Sequence, residues 1–290
     1  MNDPQAIVLF VCGDVMTGRG IDRILPHPSQ PRLYEPFVTS ALEYVALAER
    51  RSGRISRPVD PAYIWGDALA ILERRAPQLR IVNLETAVTA CDQYWPGKGI
   101  HYRMHPGNLA ALEALRPDCC VLANNHNADS LLESVAEHKC SGDLAVVSIH
   151  WGPNWGYAIG PQQRAFAHRL VEGGVDVVHG HSSHHVKGIE VHRERLILYG
   201  CGDFLDDYEG IEGYEHYRAD LGLMYFPRLD ARSGRLLGLN LVPTRIGQLR
   251  VNRASADEAR WLQAVLNREG RSLGSRAERD EGDALGLRWE

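Results

Sequence analysis

Five short apolar runs divide the first two thirds of the chain, and polar residues follow each of them. The runs cover residues 6–12, 79–84, 119–123, 144–149 and 175–178. Their aliphatic and β-branched composition predicts short buried strands. The polar residues at their ends are Asp14, Glu85, Asn125 with His126, His150, and His179 with His181. Carboxylate, amide and imidazole side chains therefore lie at the ends of the predicted strands.

Amphipathic segments between these runs predict helices. The predicted helices cover residues 36–51, 63–76, 108–115, 130–138 and 161–172, with a last helix at 256–268. Ser130 is positioned to cap the fourth helix. Residues 91–105 are too polar and too rich in Gly and Pro to predict regular structure. Further strands are predicted at 196–199, 221–226, 236–242, 249–251 and 284–289.

Strands that alternate with helices indicate the α/β class. In that class, functional sites form where the strands end. The five polar strand ends are therefore expected to lie near one another.

The composition argues against several classes of function. The chain is 44% hydrophobic and 24% charged, with a net charge of −5, which is ordinary for a globular protein and unlike a nucleic-acid binder. The apolar run at residues 6–12 is too short for a membrane span or a signal segment. The six cysteines form no C-x-x-C pair, and this usage predicts a cytoplasmic protein.

Histidines are concentrated in one region of the chain. Of the thirteen in the sequence, seven lie between positions 150 and 192. An even distribution would place about two there, so a metal site is favoured over coincidence. In the densest segment, V-D-V-V-H-G-H-S-S-H-H from Val175 to His185, we expect Gly180 to let the backbone turn sharply at the end of a strand.

Together the strand ends supply the ligands that two divalent cations require. They offer carboxylates, a side-chain amide and up to four imidazoles, without thiolates. This donor set favours Mn²⁺, Fe or Zn²⁺ over Ca²⁺ or a structural zinc. Two such cations would lower the pKa of a water and stabilise a leaving oxygen.

Six short motifs occur in order: G-D-V-M at 13–16, N-L-E at 83–85, A-N-N-H at 123–126, I-H-W-G at 149–152, G-H-S-S-H at 180–184 and Y-G-C-G-D-F at 199–204. In these motifs the chain resembles the capsule synthesis protein CapA family, which is implicated in poly-γ-glutamate biosynthesis and related to the calcineurin-like metallophosphoesterases. The resemblance implies a four-layer αββα sandwich with a dinuclear metal site, here as a single domain over residues 1–290.

The resemblance also implies roles for individual residues. The implied metal ligands are Asp14, Glu85 with Asn83 as its competitor, Asn125, His150, His181 and His184. His126 would be the general acid. Met16 stands where the wider superfamily has a histidine ligand, and only 23 residues separate His126 from His150. The core is therefore predicted to be shortened between the Asn-Asn-His and His-Trp-Gly motifs.

Four further residues lie beside these motifs. Asp203 could accept a hydrogen bond from a metal-bound histidine and act in catalysis, or could be an ordinary turn residue. Arg103 and Lys187 could bind substrate carboxylate or phosphate, or could be solvated charges. Trp151 could form an apolar wall for a ligand, or could be buried in packing.

Two functions follow from these features. The first is a metal-dependent hydrolase of the metallophosphoesterase type, acting on a small molecule or polyglutamate in capsule or cell-envelope biosynthesis. The alternative is a non-catalytic accessory protein that binds polyglutamate or a partner protein of capsule synthesis.

Overall fold

The strands form two main sheets in the computed structural model, which describes residues 5–94, 96–122, 128–280 and 284–290. In chain order the strands are β1 Ala6–Val15, β2 Leu79–Leu84, β3 Ala87–Val88, β4 Arg103–Met104, β5 Cys119–Val121, β6 Val146–His150, β7 Val177–His181, β8 Ile189–His192, β9 Arg195–Leu198, β10 Asp203–Leu205, β11 Leu221–Asp230, β12 Leu236–Ile246, β13 Val251–Arg253, β14 Ser275–Arg279 and β15 Leu285–Trp289. The helices are α1 Arg19–Ile24, α2 Ala41–Ser52, α3 Asp67–Arg75, α4 Leu109–Leu115, α5 Ala128–His138, α6 Pro161–Glu172 and α7 Ala256–Gly270. The predicted α/β class is confirmed.

The large sheet is built around β1. Its strand order is β14-β15-β12-β11-β1-β2-β5, with β10 also paired to β1 and β13 to β12. β1 runs parallel to β2 and β10 and antiparallel to β11. In this register Asp14 lies opposite both Asn83 and Asp203. Three polar residues distant in sequence therefore share one level of the sheet.

The small sheet has the order β6-β7-β9-β8. β6 and β7 are parallel, and their register pairs Ser148 with His179 and His150 with His181. Because side chains two residues apart on a strand share a face, these four polar side chains lie on the same face.

Apolar side chains fill three clusters. One packs helices α1 to α4 against the large sheet and includes Phe10, Trp65 and Leu112. A second lies between the two sheets and contains Leu9 and Val11 of β1 together with residues of the small sheet. The third packs α6 on the outer face of the small sheet. Because side chains alternate between the two faces of β1, this one strand contributes residues to two clusters.

Several predicted boundaries are wrong. β1 continues through Asp14 instead of breaking there, and the helix predicted at 36–51 begins at Ala41. The helix predicted at 63–76 is interrupted at Gly66, where a 3₁₀ turn ends and α3 begins. Helix α5 includes Ala128, two residues before its predicted start at Ser130. In each case the hydrophobic pattern indicated the element, but local backbone geometry set its ends.

Other errors concern short strands that carry little pattern. β4 lies within the segment 91–105, which was expected to be irregular, and pairs with β3. The strands β8, β10 and β14 were not predicted. Strands of three to five residues are determined by their partners in the sheet more than by their own sequence.

Gly180 has a different role from the one predicted. It lies inside β7, which continues to His181, so no sharp turn occurs there. A Cβ atom at this position would overlap the indole Nε1 of Trp151 and the carbonyl oxygen of Leu198. Glycine is therefore required because Trp151 crosses the strand closely, where its Nε1 donates a hydrogen bond to the Tyr199 carbonyl at 3.0 Å.

We expect Gly180→Ala to lower the free energy of unfolding by about 1–3 kcal/mol, because the indole and the backbone must move apart. Gly238→Ala is the matched control, since it also lies inside a strand and a Cβ there meets nothing within 4 Å. Urea denaturation of both variants provides the measurement. Equal stability of the two variants would contradict this account of Gly180.

His179 links the two sheets through a hydrogen bond. Its side chain is 0% exposed, and its Nε2 lies 2.7 Å from the carbonyl oxygen of Cys12 in β1. Burial, with the neighbouring His181, lowers the pKa of His179 to about 4. The folded protein therefore holds this imidazole neutral at pH values where an unfolded chain would protonate it.

This burial predicts a pH dependence of stability. As the pH is lowered, the unfolded chain binds this proton at a higher pH than the folded protein does. The contribution of His179 to the free energy of unfolding is therefore complete above about pH 6.5, and roughly 3 kcal/mol of it is lost as the pH falls toward 4. We expect the free energy of unfolding of His179→Gln to fall less steeply over this range than that of the parent. His138→Gln, at an exposed helix end, serves as the control. Parallel curves for the parent and His179→Gln would show that His179 does not cause the effect.

Candidate metal centre

Asp14 lies at the centre of the candidate site and is 0% exposed. Asn83 donates from Nδ2 to its Oδ1 at 2.8 Å, and the backbone N–H of Ser182 donates to its Oδ2 at 3.1 Å. Gly13 and Gly202 allow β1 and β10 to approach closely beside it, because a Cβ on Gly13 would overlap the Gly202 carbonyl. The carboxylate is thus held where the large sheet meets the loop after β7.

Two imidazoles of the small sheet approach this carboxylate. His181 Nδ1 lies 3.1 Å from Asp14 Oδ1, and the ring centroids of His150 and His181 are 5.3 Å apart. One ligand atom from each of Asp14, His150 and His181 lies within 4.8 Å of the others. A carboxylate and two imidazoles at this spacing form three ligands of a mixed N/O site.

The residues of this group leave polar atoms unsatisfied. Asn83 Oδ1, His150 Nδ1 and His181 Nδ1 are buried and have no hydrogen-bond partner among the described residues. Buried groups of this kind normally have a partner, because an unpaired one costs free energy. A cation beside Asp14 would satisfy acceptors of this type, so these residues fit a metal ion.

The electrostatics of the group agree with this interpretation. Although burial opposes ionisation, the neighbouring His181 and the hydrogen bond from Asn83 keep the pKa of Asp14 below its usual value. Burial lowers the pKa of His150 and outweighs the attraction of Asp14. The group therefore presents an ionised carboxylate and a neutral imidazole, the forms that bind metals.

His184 lies beside this group and is oriented by Asp203. Its Nδ1 is 2.9 Å from Asp203 Oδ2, and Asn154 donates from Nδ2 to its Nε2 at 3.1 Å. A carboxylate that binds Nδ1–H fixes the tautomer whose lone pair is on Nε2, and in this structure that lone pair accepts the hydrogen bond from Asn154. Asp203 thus makes the predicted contact with a candidate metal-binding histidine.

Glu85 follows β2 and lies within electrostatic reach of Asp14 and His184. Burial and the negative charge of Asp14 raise its pKa to about 7, against the opposing effects of His184, Lys98 and Arg19. Asn83, the competing candidate, is the residue that bonds Asp14 directly. The structure thus brings both candidates to the site in different positions.

The other predicted residues lie in varied surroundings. Asn125 and His126 fall outside the described residues. The Arg103 side chain donates to the Cys91 carbonyl and pairs with Asp92. Lys187 is 1% exposed, and its Nζ donates to the Ala158 carbonyl at 3.2 Å.

Trp151 packs against Tyr199 and Phe166 in the cluster on the outer face of the small sheet. Trp151 is only partly buried in this cluster, so core packing and contact with a ligand both stay open for it.

Sequence reasoning missed Arg19, which occupies the start of α1. Its buried guanidinium pairs with Asp207 and Glu35 and lies over the ring of Tyr44, 4.0 Å from the centroid. Its φ of 46° is unusual for a residue other than glycine, and backbone strain of this kind occurs often at functional sites. The T-G-R-G segment at residues 17–20, between β1 and α1, is the sequence feature that could have indicated this residue.

Sequence comparisons identify the relatives of the chain. The family model described as "Bacterial capsule synthesis protein PGA_cap" matches residues 8–138 and 127–208. The chain is 38% identical over 356 residues to a "Probable polyglutamine synthesis accessory protein" of Mycobacterium tuberculosis, with 94% of each chain covered. It is 33% identical over 85 residues to the capsule biosynthesis protein CapA of Bacillus anthracis, covering 28% of this chain and 21% of that protein.

The match with the mycobacterial relative spans more residues than the 290 of this chain, so that relative contains residues that this chain lacks. The two matches to the family model meet at residues 127–138, between β5 and β6. Residues 127–138 lie between the Asn-Asn-His and His-Trp-Gly motifs.

The ordered motifs, the family model and the similarity over nearly the whole chain agree. This chain belongs to the CapA, or PGA_cap, family of bacterial capsule synthesis proteins.

Proposed function

We propose that this protein is a metal-dependent hydrolase of the phosphoesterase type that acts in capsule or polyglutamate synthesis. The observation that carries the proposal is the meeting of Asp14, His150 and His181, where the Nδ1 atoms of both histidines are buried without a hydrogen-bond partner among the described residues. Burying such groups costs free energy unless an ion compensates them. The names of the relatives supply the biological setting.

The proposed centre holds divalent cations of the Mn²⁺, Fe or Zn²⁺ class. Asp14, His150 and His181 would bind one ion, with Asn83 Oδ1 nearby, and Glu85 and His184 would contribute to a second. Bound cations would supply the positive charge that polarises a phosphoryl or acyl oxygen and acidifies water. We further propose the four-layer αββα arrangement of sheets and helices and a cytoplasmic location.

The residues of the chain have distinct roles in this proposal. Asp203 holds the His184 ring through Nδ1, and His184 Nε2 would exchange its hydrogen bond from Asn154 for an ion. The pKa of Glu85, raised to about 7 by burial and the charge of Asp14, would fall beside a bound cation, so that the ionised carboxylate would bind it. His126, next to Asn125 in the Asn-Asn-His motif, is proposed to donate the proton to the leaving group. Arg103, Lys187 and Trp151 remain proposed contacts for the substrate.

Metal analysis tests the centre directly. We expect about two Mn²⁺ per chain after reconstitution and dialysis, and a loss of about one ion or more in His181→Ala because a buried ligand is removed. His138→Ala, at an exposed position, should retain the content of the parent. A parent protein that retains no Mn²⁺, Fe or Zn²⁺ would contradict the proposal.

Asp203→Asn tests the orientation of His184. The amide can present an N–H toward the ring and removes the charge, so we expect the rate of hydrolysis of bis-p-nitrophenyl phosphate with Mn²⁺ to fall about 10–100-fold. Asp230→Asn, in a surface turn, should leave the rate unchanged. An unchanged rate in Asp203→Asn would remove Asp203 from the catalytic group.

The second candidate is a non-catalytic accessory protein that binds polyglutamate or a partner of capsule synthesis. It is favoured by the name of the mycobacterial relative and by the residues that this chain lacks in comparison. Metal binding without turnover of phosphoester substrates, together with binding of poly-γ-glutamate, would favour this candidate.

A further inference from the structure

Ser148 and His179 form a contact beneath the candidate metal centre. They lie opposite each other on the paired strands β6 and β7, two residues before His150 and His181. Ser148 Oγ is 3.0 Å from His179 Nδ1 and 3.2 Å from His181 Nε2. One hydroxyl therefore connects two imidazoles, and the second imidazole is a candidate ligand.

The direction of the hydrogen bonds follows from the Cys12 carbonyl. A carbonyl oxygen only accepts, so His179 Nε2, 2.7 Å away, must carry a proton. A second proton on this fully buried ring would create a cation without a carboxylate in contact with it. His179 Nδ1 is thus an acceptor, and the single proton of Ser148 Oγ is donated to it.

The proton on His181 Nε2 follows from the same chain of hydrogen bonds. Because Ser148 has donated its proton, its oxygen can only accept from His181, so His181 Nε2 carries a proton. Nδ1 is then the ring nitrogen of His181 that faces the cation site, 3.1 Å from Asp14 Oδ1. It has no hydrogen-bond partner among the described residues.

We propose that Ser148 and His179 are positioning residues that keep a proton on His181 Nε2 and so present its Nδ1 to the cation site beside Asp14. The inference rests on the proposed metal centre. Asp14 Oδ1 and His181 Nδ1, 3.1 Å apart in a buried site, attract a proton or a metal ion between them. The hydrogen-bond chain thus prepares the site for a metal before one binds.

The roles of the two residues differ from those of the ligands. Neither Ser148 nor His179 is a member of the group formed by Asp14, His150 and His181. Hydrogen-bond partners of ligating histidines commonly change metal affinity about 10–100-fold when they are removed. We therefore expect Ser148→Ala to weaken Mn²⁺ binding by about that factor, whereas Ser148→Thr, which keeps the hydroxyl, should restore most of the affinity.

Two measurements without substrate test the inference. Long-range ¹H–¹⁵N NMR of the ¹⁵N-histidine-labelled, metal-free protein reports which ring nitrogen is protonated, with His181 assigned by comparison with His181→Ala. We expect His181 to carry its proton on Nε2 in the parent and to populate both tautomers in Ser148→Ala. Titration calorimetry with Mn²⁺ measures the affinity, and Ser272→Ala, at an exposed position, is the control.

The possible results separate this inference from the proposed function. An unprotonated Nε2 of His181 in the parent, or unchanged Mn²⁺ affinity in Ser148→Ala, would overturn the inference. Absence of Mn²⁺ binding by the parent would overturn the proposed function, while the NMR spectrum of the parent would still decide the state of His181. That spectrum also decides the inference if Ser148→Ala does not fold.

Discussion

The buried carboxylate of Asp14 is the constraint on which the site depends. A charge with 0% exposure must be compensated by hydrogen-bond donors and cations, because its removal from water costs several kcal/mol. Asn83 and the Ser182 backbone supply two donors from different parts of the chain. The two nearest imidazoles present ring nitrogens that have no hydrogen-bond partner in the described structure. The protein therefore compensates Asp14 only in part, and a bound cation is the simplest completion.

The fold brings these groups together through β1. This strand pairs with β2 and β10 within the large sheet and packs its other face against the small sheet. Its alternating side chains serve two hydrophobic clusters, so its position is fixed by packing on both faces. The carboxyl ends of β6 and β7 then meet the carboxyl end of β1, where His179 bonds the Cys12 carbonyl. Rigid strands thus hold ligands that lie more than one hundred residues apart in sequence.

Much of this arrangement could be predicted from sequence, because buried strands are apolar and their polar ends are conspicuous. Asp14, His150 and His181 were found in this way, and the structure places them in one group. Ser148, by contrast, sits at an alternating position within a strand and has no distinguishing pattern. Its importance depends on the register of β6 against β7, which hydrophobic periodicity does not specify. Arg19 was missed because it forms its ion pair with Asp207, which is distant in sequence.

The two matches to the family model overlap at residues 127–138, between two parts of the proposed chemistry. Strands β5 and β6, on either side of this region, lie at the edges of their sheets, and Leu122 beside β5 is 69% exposed. The candidate ligands Asp14, His150, His181 and His184 lie outside this region. The proposed proton donor, His126, belongs to the motif directly before it. The proposed metal ligands and the proposed proton donor therefore belong to different parts of the chain. A measurement of metal binding would support the proposed centre without establishing catalysis.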